Sequence, residues 1–299
     1  MKTQPGKGYF FAFAASLALA SSFIFSKSAL SLVDLILFGF AWFGIGAILN
    51  TIWLVLKFKK NLLTSFKGKI LLNAIVIAVL EGLATVSFYL AIQKMENPAV
   101  VSFIGNLGPV LVTIMGITLL AEKYNRIQLL GIVLALGGVF AITFRPGSEL
   151  QNFFQPGSQY VVFASVLFSV ATIVARKNKE RLNPELMSTI RSFLLFFVFA
   201  LIVLVSHREL NYNREVWQII IIGSFLETLL TIVFAYQALR YIEAAKTSLI
   251  ISTKAVWVLI MAYFFLNTFP GTLELVGGSF SIIGIILISL GGNQRSSKI

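Results

Sequence analysis

Cysteine does not occur in this chain, which excludes a disulfide framework, a thiolate metal site and a thiol nucleophile. A single histidine, His207, leaves no HExxH-like pair of metal ligands, and glycine-rich phosphate loops are also missing. The common metal hydrolases and nucleotide-driven pumps therefore find no support, and neither a cofactor, a metal nor an enzymatic activity is expected. Charge is scarce too: 12% of residues are charged against 58% hydrophobic, with a mean hydropathy of +0.89, far from the balance of a soluble domain. A net charge of +12 would suit nucleic acid. Here the charges sit in short loops between apolar runs, where they set membrane topology instead, so no nucleic-acid partner is expected.

What is present is a series of apolar runs near the ~20 residues that a helix needs to cross a bilayer. Ten are read: 9–30, 35–56, 70–92, 98–120, 126–144, 159–178, 184–205, 216–239, 244–266 and 272–291. The longest connections are the Lys-rich loop near Lys57–Lys69 and the Pro/Gly/Ser loop Arg145–Ser158, leaving no room for a separate soluble domain. Span one begins like a secretory signal, with Lys2, Lys7 and Ala18-Leu19-Ala20, but its apolar run continues to Leu30, too long for a cleaved signal.

The chain also repeats itself. Tyr89 to Thr143 aligns without a gap on Tyr236 to Leu290, matching Glu96 with Glu243, Gly131 with Gly278 and Gly137 with Gly284 at an offset of 147. A weaker match at an offset of 149 joins Ser16 to Ser165 and Lys27 to Arg176. The expected fold is an all-α integral membrane protein of two five-helix repeats, 1–147 and 148–299, acting as one unit. Of the 24 Lys and Arg, seventeen fall on the side that holds both termini, five on the other, and two within spans. That bias places both termini in the cytoplasm of a cell membrane, the inner membrane if the source is a bacterium. Five spans per half is odd, so the second half enters from the opposite face and the repeats are inverted, a mark of transporters.

These residues resemble the EamA-type carriers of the drug/metabolite transporter superfamily over the whole chain. The marks are Phe88-Tyr89-Leu90-Ala91-Ile92 and Phe234-Ala235-Tyr236-Gln237-Ala238-Leu239, Pro109 in span four, Ala121-Glu122-Lys123, and Gln128-Leu129-Leu130-Gly131. The resemblance implies ten spans in two halves, and export. Departures stand beside it: Val256 replaces the proline typical of span nine, and the acidic residue after that span is absent at Asn267-Thr268-Phe269. The arginine common early in the second helix of each half is present as Arg191, while Trp42 stands at the comparable place in span two. The helix break is accordingly expected in span four and not in span nine.

Charges deep in spans carry the site expectation. Glu81 and Glu227 are repeat mates at an offset of 146, as are Thr85 and Thr231. Lys254 lies at a similar depth in span nine. All three are roughly 15 Å from a helix start, where a charge costs at least ~2.5–3.5 kcal/mol and does not face lipid. They line a central cavity, or form a structural Glu–Lys lock. In the first reading one glutamate takes up and releases a coupling proton, because desolvation favours a carboxyl's neutral form.

Pro109 frees the Gly105 carbonyl, with Gly108 beside it, as a flexing hinge or a static kink. Asn106 and Thr253, repeat mates next to this place, would bind substrate or bond between helices. Tyr89 and Trp257 complete the candidate cavity. Trp42, Trp53, Trp217 and Tyr9 are read as an interfacial belt, Lys27 as a snorkelling residue and Arg191 as snorkelling or lining the cytoplasmic vestibule. Gly131/Gly138 and Gly277/Gly284 favour close packing of spans five and ten, within the chain or in a homodimer. The expected function is a secondary carrier exporting a small polar or amphipathic metabolite, an amino acid or related compound. The alternative is a lipid-linked headgroup flippase of the same architecture.

Overall fold

Without water in the hydrocarbon layer, a spanning backbone must satisfy its own polar groups, so apolar runs of this length fold as helices. The computed structural model describes residues 5–58, 69–120, 125–143, 155–177, 184–239, 241–242, 247 and 250–292, and every regular element among them is helical. In chain order these are α1 (Pro5–Leu32), α2 (Leu35–Phe58), α3 (Lys69–Lys94), α4 (Pro98–Gly105), α5 (Leu107–Leu120), α6 (Arg126–Thr143), α7 (Ser158–Lys177) and α8 (Pro184–Val205). There follow α9 (Arg214–Ser224), a π-turn (Phe225–Thr231), α10 (Ile232–Leu239), α11 (Lys254–Leu266) and α12 (Thr272–Gly292). The Ala121-Glu122-Lys123 motif and most of the loops at 57–69 and 145–158 lie outside the described residues. Seven helical stretches are long and apolar enough to cross a membrane, α4–α5 and α9–α10 each counting as one. Arg126–Ile142, Ile250–Leu266 and Thr272–Ile288 are shorter apolar helices. The protein is a multi-pass membrane protein.

Local chemistry fixes the starts of several helices. Asp34 Oδ1 accepts from the Ile36 and Leu37 amides at 2.8 and 3.2 Å, Asn97 Oδ1 from Ala99 at 2.9 Å, and Asn213 Oδ1 from Val216 at 2.8 Å, each satisfying a donor that the first turn leaves free. Lys27, expected to snorkel, instead turns inward. Its ammonium donates to the Ile92 carbonyl at 2.9 Å and to Met95, closing the C-terminal end of α3, where helix carbonyls favour a cation.

Contacts between the two halves come in matched sets. α3 packs on α7 as the α9–α10 stretch packs on α1; α4 and α5 pack on α7 as α11 packs on α1; α3 meets α8 as α9 meets α2. Two further pairs, α2 with α8 and α6 with α12, join corresponding helices. At α6–α12 the backbones touch. A Cβ on Gly131 would fall 2.6 Å from the Gly284 carbonyl oxygen, and one on Gly277 would fall 2.7 Å from that of Gly138. These glycine faces are thus occupied inside one chain, and a contact between copies through the same helices would have to use their other faces.

The break in span four is where the proline predicts it: α4 ends at Gly105, Asn106 forms a turn and α5 begins at Leu107. Its partner in span nine was expected to be lost with the proline, and it is not. Helical residues 250–252 are followed by a turn at Thr253, the repeat mate of Asn106, and α11 starts anew at Lys254. Hydroxyl groups take over the proline's role. Thr253 Oγ1 donates to the Ile250 carbonyl at 2.6 Å, and Ser16 Oγ lies 3.1 Å from Thr253 Oγ1 and 3.3 Å from the Ile251 carbonyl oxygen. Side chains that bond nearby carbonyls compete with the helix ladder and bend it. In the first half Ser169 of α7 does the same from outside, its Oγ lying 3.1 Å from the Gly108 carbonyl oxygen. Each break is held by a serine from the opening helix of the other half.

Candidate functional site

Glu227 sits within the π-turn, where one extra residue is wound into the helix. Thr231 Oγ1 donates five residues back to the Leu226 carbonyl at 2.9 Å. Such bulges are short because their hydrogen-bond geometry is poor, and they recur at functional sites. The wider turn carries Glu227 towards α2 and α3. Its Oε2 accepts from Trp42 Nε1 at 2.9 Å and from the Tyr89 hydroxyl. Both donors belong to the first half and the acceptor to the second.

The surroundings of this carboxylate are aromatic. Trp42 is completely buried and Tyr89 nearly so. Phe38 lies 4.7 Å from the Trp42 ring and 4.8 Å from that of Tyr89, and Phe43 lies 6.1 Å from Tyr89, all between ring centroids. Ser224 Oγ donates to the Trp42 carbonyl at 2.8 Å, tying α9 to α2 beside the ring. Gly223 makes room for the indole, since any Cβ there would meet it. Trp42 is therefore no interfacial residue: it is the eighth residue of α2 and a donor at the centre of the site. Tyr9 and Trp217 are exposed, as a belt position requires.

Lys254 opens α11 with its ammonium 5.5 Å from the centroid of Phe23, and Glu227 is the carboxylate whose charge acts on it. A cation held over a ring face gains from the quadrupole where hydration is reduced. Phe23 packs edge-on against Phe88 at 5.2 Å, and the Phe88 ring lies 3.5 Å from where a Gly105 Cβ would be. An aromatic wall thus runs from Lys254 to the break in span four.

The structure brings Glu227, Tyr89 and Lys254 into one neighbourhood and gives Glu81 a different partner. Glu81 Oε2 lies 3.9 Å from Arg191 Nη1, with side-chain exposures of 27% and 16%, an ion-pair distance too long for a hydrogen bond. Arg191 Nε is buried with no hydrogen-bond partner among the described residues. The Asn106 Nδ2 is likewise buried and unpartnered there, and a Cβ on Gly108 would meet nothing within 4 Å. Trp257 packs edge-on against Phe13 of α1 at 5.2 Å, so its ring serves the contact with α1. Thr253 is engaged by Ser16 as described above. Pro109 contributes its carbonyl to Thr113 Oγ1 at 2.8 Å.

Phe23, Ser16 and Ser169 are the residues around the site to which sequence reasoning gives no role. Trp42 and Arg191 are recognisable as comparable positions, at the 149 offset that also matches Ser16 with Ser165, but their reading as a belt residue and a snorkelling or vestibule residue misses them as partners of Glu227 and Glu81. The offset is 146 at Glu81/Glu227 and Thr85/Thr231 and 147 from Tyr89/Tyr236 onward, one residue more in the second half, just beyond the π-turn.

A solved crystal structure superposes on 97% of this chain and 99% of its own with a TM-score of 0.67 at 14% identity, a likeness that establishes the fold. An uncharacterized transporter of Synechocystis sp. is 24% identical over 217 residues, 70% of this chain, and the chain spans 62% of that relative's length. The profile of the EamA-like transporter family matches residues 6–144 and again 155–290, so each half carries its own copy of the family pattern. This chain is a member of the EamA-like transporter family.

Proposed function

We propose that this transporter is a secondary carrier for a small polar or amphipathic metabolite, an amino acid or related compound, working by alternating access and running outward. Its ten spans form two inverted five-helix repeats, 1–147 and 148–299, with both termini in the cytoplasm. The observation that carries this reading is Glu227, a carboxylate in mid-helix of the second half, bonded to Trp42 and Tyr89 of the first half, with Lys254 within the range of its charge. A charge at that depth is expensive unless it serves a pathway or a pair. Here the hydrogen bonds from Trp42 and Tyr89 to Glu227 cross the boundary between halves, where sites of inverted-repeat carriers lie. The matched contacts between the halves support the same architecture, and so do the matched breaks at Asn106 and Thr253.

In this reading the Glu227 carboxylate and the Lys254 ammonium offer one group of each sign, which suits a substrate carrying an acceptor and a donor. Tyr89, Trp42 and Phe23 supply flat apolar surface between them. Asn106 and the open space beside Gly108 extend the site to the bent part of span four. A glutamate of the pair Glu81 and Glu227 carries the coupling proton. The test is uptake into proteoliposomes with a panel of amino acids and other small metabolites, with and without a pH gradient. One class is expected to be taken up, its accumulation to follow the gradient, and Glu81→Gln or Glu227→Gln to abolish that dependence. Gradient-driven accumulation that survives in both variants would remove the proton from the account. The absence of uptake for every soluble metabolite, with scrambling of a lipid headgroup instead, would replace the carrier by a flippase.

A further inference from the structure

Glu81 and Glu227 are repeat mates, and so are the side chains that hold them. Glu81 is met by Arg191 of α8 and Glu227 by Trp42 of α2, and exchanging the two halves turns one pair into the other. The two contacts are unequal. Glu227 and Trp42 share a hydrogen bond of 2.9 Å, with Tyr89 as a second donor, whereas Glu81 and Arg191 stand 3.9 Å apart. The backbones differ in the same sense: Glu227 rides on a π-turn, while Glu81 lies in unbroken α-helix. Neither difference follows from the carboxylates themselves, which are chemically identical.

We infer that Trp42 and Arg191 are alternate positioning residues, each holding the glutamate opposite it in one of the two access states. The inference rests on the alternating-access reading. If each half takes up the shape of the other when access reverses, the tight and the loose contact change places. Arg191 closes on Glu81 into a direct charge-assisted hydrogen bond, and Glu227 is released from Trp42. The geometry prepares this. Arg191 has a buried Nε without a partner among the described residues, so a closer carboxylate would satisfy a donor now left free. Trp42, being neutral, lets go of its glutamate without leaving an uncompensated charge behind. With tryptophan at the place matched to Arg191, the two states are unequal in energy: Trp42 holds its glutamate by a hydrogen bond from a neutral donor, Arg191 by a charge-assisted one.

The absence of cysteine allows a clean test. A single reporter, Gly108→Cys, beside the open space in span four, is placed in the parent, in Trp42→Phe and in Arg191→Gln, and each is reconstituted in a known orientation. Labelling by a membrane-impermeant maleimide from either face gives the ratio of the two access states. Loss of one hydrogen bond of ordinary net strength should move that ratio about fivefold. Trp42→Phe is expected to move it towards one face and Arg191→Gln towards the other; should Arg191→Gln not assemble, Arg191→Lys gives the same sign with a smaller shift. Shifts in the same direction, or none while the parent labels from both faces, would overturn the inference and leave the carrier reading standing. Labelling from a single face in the parent and all variants would contradict alternating access itself.

Discussion

At the scale of the residue, Glu227 does two things that mutation separates. As a hydrogen-bond acceptor it satisfies two buried donors, and as a charge it acts on Lys254. Glu227→Ala leaves Trp42 Nε1 and the Tyr89 hydroxyl unpaired, at about 1–3 kcal/mol for each donor. A lowered melting temperature in detergent is therefore expected, while Glu227→Gln keeps an acceptor and should melt near the parent. Equal destabilisation by both would mean that charge, rather than the hydrogen bonds, holds the site together. A second residue acts outside the membrane. Tyr212 donates to the Leu37 carbonyl at 2.8 Å, and burial, with the nearby Asp34 charge, pushes its hydroxyl up to about 12. The folded form thus prefers the protonated phenol. Its contribution is complete below the ordinary tyrosine value near 10 and is lost as pH rises through 12. Melting temperature between pH 9 and 12 should fall less steeply in Tyr212→Phe than in the parent; parallel curves would show that the hydroxyl plays no part.

At the scale of the element, the glycine contacts of α6 and α12 make a direct prediction. Gly284→Ala forces a methyl group against the Gly131 carbonyl and the Ala135 backbone, neither of which can turn aside as a side-chain end would. Overpacking of this kind destabilises by about 1–3 kcal/mol. Gly137→Ala, whose methyl group would meet nothing within 4 Å, should be neutral. Thermal melting of the two variants decides, and equal behaviour would contradict the packing described here.

The helices themselves were legible in the sequence, because twenty apolar residues in a row have one way to satisfy their backbone in lipid. Expected span two, 35–56, and observed α2, Leu35–Phe58, differ only at the C-terminal end. The break at Thr253 was not legible, since the expectation was tied to proline. The structure makes the same break with two hydroxyl groups, one of them on a helix 237 positions away. Sequence reading sees the missing ring; it does not see a serine arriving from the other half.

At the scale of the whole molecule, the charged groups in mid-span were easy to find, and their partners were not. Depth follows from counting residues along a helix, whereas direction depends on rotation about its axis. Glu81 and Glu227, matched in depth, meet the repeat-matched side chains Arg191 and Trp42 respectively, so the two acids have separate partners and only Glu227 shares its neighbourhood with Lys254. Each half thus carries an acid held by the other half.

The central claim is that the carboxylate of Glu227 belongs to the substrate's path. The measurement that tests it most directly is the initial rate of uptake of the first metabolite found to be carried, compared between the parent and Glu227→Gln at equal incorporation into proteoliposomes. Removal of one charged contact made to substrate in a desolvated site predicts a fall of about tenfold or more. A Glu227→Gln carrier that folds, inserts and transports at the parental rate would contradict the account.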